Sequence, residues 1–134
     1  MPRVFTSKSQ KIGQIGEKLA ALYLTKQGFS IKDINYTKPW GEIDIVALKD
    51  NIIHFIEVKS VSRESKSGLA IKNKDLYRPE ENLSRDKLRK LYRTIGLYLK
   101  DKNMTDRVEW QLDLICVYLE PSKKMGKVKY LENI

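Results

Sequence analysis

Between Gln10 and Gln27 apolar residues fall at Ile12, Ile15, Leu19, Leu22 and Tyr23, the spacing of one helix face, and Gly28 follows as a left-handed stop. A neighbouring face of the same helix carries Glu17, Ala20, Ala21 and Leu24, so Glu17 lies beside small residues that let another element come close. The period then changes. FSIKDINY reads as a short, somewhat irregular strand, and KPWG as a loop because Pro39 and Gly41 disfavour regular structure. Two strand-like runs follow, Glu42 to Leu48 and Ile52 to Lys59, around the turn signal KDN. Residues 60–83 are polar and without a period, which predicts a long loop, and residues 1–9 predict a flexible arm. From Ser84, an N-cap, to about Leu99, Leu88, Leu91, Tyr92, Ile95 and Leu99 recur as the apolar stripe of an amphipathic helix. RVEWQLDLICVYLE is apolar enough for a central strand, and KVKYLENI is a last strand or a tail. This order predicts an α/β fold, a mixed β-sheet flanked by α-helices, in a single domain of 134 residues.

Four charges interrupt the two strands where a packed sheet least tolerates them: Glu42, Asp44, Glu57 and Lys59. With a turn centred on Asp50 and Asn51, antiparallel pairing sets Asp44 opposite Glu57 and Glu42 opposite Lys59, all on one side, with opposed Cβ atoms about 5 Å apart. Like charges in that position are destabilising unless something compensates them. One reading is the polar end of a hairpin, with Glu42 and Lys59 as an ordinary cross-strand pair. The other is a cation between the carboxylates. Mg²⁺ or Mn²⁺ fits best, since such ions take one or two protein carboxylates plus waters and substrate phosphate oxygens. Lys59 would reach the same space, where an ammonium can orient water or stabilise phosphorane charge.

The joint pattern of Asp44, a turn of the right length, E-x-K on the partner strand and a basic chain favours the second reading. The chain carries 26 Lys and Arg against 17 Asp and Glu, a net charge of +9, which by itself is either a solvated basic surface or an attraction to a polyanion such as nucleic acid. Cys116 sits in an apolar run as a core residue, and with His54 as the one histidine no Cys/His zinc site can be assembled. No apolar run has membrane-spanning length and MPRVFTSKSQK lacks the apolar centre of a secretory signal, so no membrane partner and a cytoplasmic location are expected.

An Asp, a hairpin and then E-x-K resemble the PD-(D/E)xK nuclease superfamily. More closely, GQIGEKLAALYLTKQGF, N-x5-GEIDIVA, FIEVKS, K-x4-LYRTIGLYL and LDLICV, in that order over roughly residues 10 to 118, resemble the YraN-like family of small predicted endonucleases. The resemblance implies a restriction endonuclease-like core, with Asp44 and Glu57 binding Mg²⁺ or Mn²⁺, Lys59 assisting attack, and Glu17 as the helix glutamate that approaches the site. Glu42 either ligates metal or pairs with Lys59. Lys87 matches a family position and either faces the site or lies on the surface. The superfamily's proline is replaced by Ile43.

Other residues stay open between two roles. Arg85, Arg89 and Arg93, with Lys90 nearby, either track a phosphate backbone or form a solvated face. Trp40 either stacks on an unpaired base or closes the core's edge. His54 falls on the sheet face opposite Asp44 and Glu57 and reads as a packed residue, while Asp113 is a polar strand residue or a distant contributor to the site. The expected function is a metal-dependent endonuclease acting on DNA, including branched or repair intermediates. Its alternative is a non-catalytic nucleic-acid-binding module on the same scaffold. A homodimer is compatible with cutting two strands.

Overall fold

The computed structural model describes residues 8–62, 83–104, 108–120 and 125–134. The expected arm, up to residue 7, and most of the expected loop, residues 63–82, lie outside the described residues. Helix α1 spans Lys8–Lys26. Beyond it Gly28 adopts φ +92°, and the Gly28 and Phe29 amides donate back to Thr25 and Leu24 at 3.1 and 2.9 Å, which satisfies carbonyls the helix leaves open. Strands β1 (Ser30–Lys38), β2 (Gly41–Lys49) and β3 (Ile52–Ser62) follow, then helix α2 (Arg85–Asp101), β4 (Glu109–Glu120) and β5 (Met125–Leu131). The five strands form one sheet in the order β1-β2-β3-β4-β5. Only β3 and β4 are parallel, joined through α2; the other pairs are antiparallel.

Local chemistry sets the joints. Asp50 and Asn51 both take positive φ, 51° and 64°, between paired Lys49 and Ile52, the two-residue turn whose twist matches a hairpin. Ser84 caps α2, its hydroxyl accepting the Lys87 amide at 3.1 Å. A register shift between Ile31 and Asp33 accounts for the irregularity of β1.

Among the described residues, each sheet face carries one helix and one core. Beneath α2, Phe55, Ile95 and Tyr98 pack with Val46, Leu91 and Leu112, and the Phe55 and Tyr98 rings meet edge to face at 5.4 Å. Tyr98 also donates its hydroxyl to the Asp33 carboxylate, which ties α2 to the edge strand. Beneath α1 the core is Leu24, Ile45, Ile56, Ile115 and Val117. Each large apolar side chain buried this way is worth about 1.5–3 kcal/mol, and Phe55→Ala would cost about 3–5 kcal/mol.

Helix α1 packs by its face of small residues, the one expected to let another element come close: Gly16, Ala20 and Leu24 are buried, while Ile15 and Leu22, on the apolar face read from spacing, are 49% and 57% exposed. The small residues win because they bring the helix axis closer to the sheet. A Cβ at Gly16 would stand 1.7 Å from Ser60 Oγ on β3.

Candidate active site

The two strands that carry the charges do not stay paired. The β2–β3 ladder keeps the expected register from Lys49↔Ile52 to Ile45↔Ile56, and there it ends. Beyond that point β2 remains bonded to β1 as far as Lys38↔Gly41, and β3 remains bonded to β4 as far as Ser62↔Leu119. Each strand follows its outer neighbour, so a fork opens between them. At the fork the Val58 amide has lost its β2 partner, and Asp44 Oδ2 accepts it at 2.8 Å. Asp44 and Glu57 are therefore not ladder partners, as the simple hairpin predicts, but two side chains meeting across the mouth of the fork.

They meet closely. Glu57 is 9% exposed and its carboxyl lies within hydrogen-bonding reach of Asp44. Burial first, and then the Glu57 charge, push the Asp44 carboxyl up to about 8, against the pull of the Val58 amide; the Glu17 charge adds to the rise. Two carboxyls in contact need a shared proton or a cation.

Cationic side chains close the other side. Lys59 Nζ lies 3.5 Å from Glu57 Oε1, and Lys87 Nζ, from the first turn of α2, lies 3.1 Å from the same oxygen. Lys59 is lowered, chiefly by burial and then by contact with Lys87. Lys87 is raised: burial pulls it down, but the contacts with Lys59 and Glu57 and the Asp44 charge outweigh that pull. The opposite directions belong to one pair of like charges. The lysine nearer Glu57 keeps its proton and Lys59 surrenders its own first.

A cleft of about 260 Å³ opens onto these groups, lined by Trp40, Glu42, Asp44, Glu57, Lys87 and Lys90 among others. The β1–β2 turn forms its rim, held to α2 where Arg93 donates to the Trp40 carbonyl at 3.4 Å. A Cβ at Gly41 would stand 2.2 Å from Thr94 Oγ1, so glycine lets the turn seat on the helix.

The expected residues thus divide. Asp44, Glu57, Lys59 and Lys87 come together. Glu42 lies on the cleft wall, paired in the sheet with Thr37 of β1 and not opposite Lys59, whose carboxylate contact is Glu57. Glu17 lies along the groove between α1 and β1, near enough for its charge to reach Asp44. Among the described residues no three His, Cys, Asp or Glu side chains gather closely enough to hold a metal. The residues that could hold one are the Asp44–Glu57 pair, two carboxyls that would leave a hard cation to complete its shell with water and phosphate oxygens. Trp40 is partly exposed on the rim, and Lys90 lines the cleft. Arg85 and Arg89 lie on the exposed side of α2, Arg89 in a 3.7 Å pair with Asp86.

On the opposite face, Asp113 is 0% exposed and accepts the Tyr130 hydroxyl, Gln111 Nε2 at 2.7 Å and the Asn133 amide at 3.0 Å, with His54 Nδ1 at 2.6 Å. His54 is packed as expected, edge to face with Phe29 at 4.9 Å. Asp113 joins β3, β4 and β5 and takes no part in the fork. Spacing offered no sign of this network, because three separate strands supply it.

Fold and site together define an α/β protein with a carboxylate pair and two lysines at the fork of a mixed five-stranded sheet. Residues 16–117 match the model of an uncharacterised protein family, UPF0102. The chain belongs to that family. It is 35% identical to a UPF0102 protein of Campylobacter fetus subsp. fetus over 127 residues, 95% of this chain and 96% of the relative. A UPF0102 protein of Campylobacter jejuni subsp. jejuni is 39% identical over 123 residues, 91% of each. One of Helicobacter hepaticus is 34% identical over 126 residues, 94% of this chain and 96% of the relative. None of these names states an activity. Among the described residues no helix is long and apolar enough to cross a membrane.

Proposed function

We infer that this protein is a divalent-metal-dependent endonuclease of the PD-(D/E)xK type that hydrolyses DNA phosphodiester bonds, with Asp44 and Glu57 holding Mg²⁺ or Mn²⁺. The observation that carries the reading is the contact between these two carboxyls at the β2–β3 fork, flanked by two ammonium groups and open to a cleft. A bound divalent cation would supply the Lewis acid that polarises a phosphoryl oxygen. Lys59 stands on the strand beside the pair, and its lowered affinity for a proton suits it to give up its own proton and then, as the neutral amine, to orient the attacking water and take that water's proton, becoming the ammonium. The water oxygen forms a bond to phosphorus, the bond to the leaving sugar oxygen breaks, and that oxygen takes a proton from solvent. Lys90 on the cleft wall offers a cation to a backbone phosphate, and Trp40 on the rim offers a face to an unpaired base.

The test is cleavage of labelled single-stranded, duplex, flap and four-way-junction DNA with Mn²⁺ or Mg²⁺, by the wild type, Glu57→Ala and Asp44→Ala. Metal-dependent cutting that both variants lose supports the reading. Equal cutting by wild type and variants removes the fork from the chemistry. Tight, metal-independent binding without turnover would indicate a binding module on this scaffold.

A further inference from the structure

Glu57 Oε1 serves two ammonium groups at once, and only one of them follows from its position in the strand. Lys59 stands two residues beyond Glu57 on β3, on the same face. Lys87 comes from another element and is the nearer, at 3.1 Å against 3.5 Å. Its backbone is fixed by the Ser84 cap, and its side chain shares the cleft wall with Lys90, where an incoming phosphodiester would meet it. A divalent cation at Asp44 and Glu57 repels an ammonium on the same carboxylate oxygen. The cation and Lys87 therefore compete for Glu57, and a phosphate anion in the cleft competes with Glu57 for Lys87.

We propose that Lys87 couples the divalent cation to the substrate: its ammonium occupies Glu57 until a DNA phosphate draws it away, and that transfer frees the carboxylate oxygen for the cation. This rests on the metal-dependent reading above and adds a thermodynamic consequence. DNA tightens the cation and the cation tightens DNA by the same factor, with part of that factor passing through one lysine. Lys87 is thus a positioning residue, acting on the chemistry through Glu57. The device would keep the site weak for metal until the substrate is in place.

The experiment is Mn²⁺ affinity, followed by electron paramagnetic resonance on the full chain, with and without short phosphorothioate-linked DNA, for wild type, Lys87→Gln, Lys87→Met, Lys87→Arg and Glu57→Gln. Without DNA, Lys87→Gln and Lys87→Met should bind Mn²⁺ about fivefold more tightly than wild type, and the further tightening by DNA should shrink by about the same factor. Lys87→Arg, which keeps the charge, should behave as wild type. If Lys87→Gln and Lys87→Met leave Mn²⁺ affinity unchanged or weaken it while Glu57→Gln abolishes binding, the cation site stands and the coupling is overturned. If wild type and Glu57→Gln bind Mn²⁺ equally poorly, the metal-dependent reading falls and takes the coupling with it.

Discussion

At the scale of single residues, the fork carries a stability cost that titration can read. An aspartate in an unfolded chain loses its proton near its ordinary value of 3.8, whereas folded Asp44 holds its proton up to about 8. Between those values the folded chain binds the extra proton, so the stability gained from the protonated pair is full below pH 4 and is lost as pH rises through 8. In EDTA, urea unfolding should therefore show this contribution falling from pH 5 to pH 9, and Asp44→Asn should flatten that part of the slope. Identical pH slopes for wild type and variant would remove the shared proton from the account. Lys59→Ala makes a separate prediction. It should keep the fold and DNA binding but lose cleavage by about 10²–10⁴-fold, the usual worth of a positioned proton acceptor. A cleavage assay within threefold of wild type would exclude Lys59 from that role.

At the scale of elements, close approach positions α1, and that can be measured with glycines. Gly16 and Gly13 are helical neighbours in sequence but not in environment: a Cβ at Gly16 would meet Ser60 on β3 within 1.7 Å, whereas a Cβ at Gly13 would meet nothing within 4 Å. Gly16→Ala should destabilise by about 1–3 kcal/mol through overpacking. Gly13→Ala should be neutral or stabilise by up to about 1 kcal/mol, because alanine is the better helix former. The Gly16→Ala, Ser60→Gly double variant should regain part of the loss in a double-mutant cycle of thermal melts. Additive losses would show that Ser60 is not what holds the helix at its distance. The same elements show why some of the fold was legible in the sequence and some was not. The Asp50–Asn51 turn and the Ser84 cap are local chemistry, decided within four residues, and both stand as read. On α1 the small residues beside Glu17 mark the face that another element approaches, but the exposure of Ile15 and Leu22 is not legible, because it depends on how Gly16 and Ala20 fit against strands distant in sequence. The fork was equally hidden. Where the β2–β3 ladder ends depends on β1 and β4, so spacing could place Asp44 and Glu57 on one face but not reveal that the strands part there, nor that Lys87 would share Glu57 Oε1.

For the whole molecule, the net charge of +9 and the placement of its lysines and arginines bear on how DNA would be held. Lys90 lines the cleft beside the carboxylate pair, Arg93 is tied to the Trp40 carbonyl, and Arg85 and Arg89 face solvent, the latter beside Asp86. Exposed, screened charge attracts a polyanion from a distance, whereas a lysine in the cleft contacts one phosphate and displaces its counterion. The two contributions separate in the salt dependence of binding. Plotting log affinity against log salt for a DNA that the protein binds without added metal, Lys90→Ala should reduce the slope by about 0.9, the share of one phosphate contact on duplex DNA. Arg89→Ala should change it less, because Asp86 already neutralises part of that charge. Equal reductions for the two variants would mean that the helix's outer face, and not the cleft, meets the backbone. DNA would then cross α2 on the side away from Asp44 and Glu57, a geometry in which the fork could not reach a scissile bond.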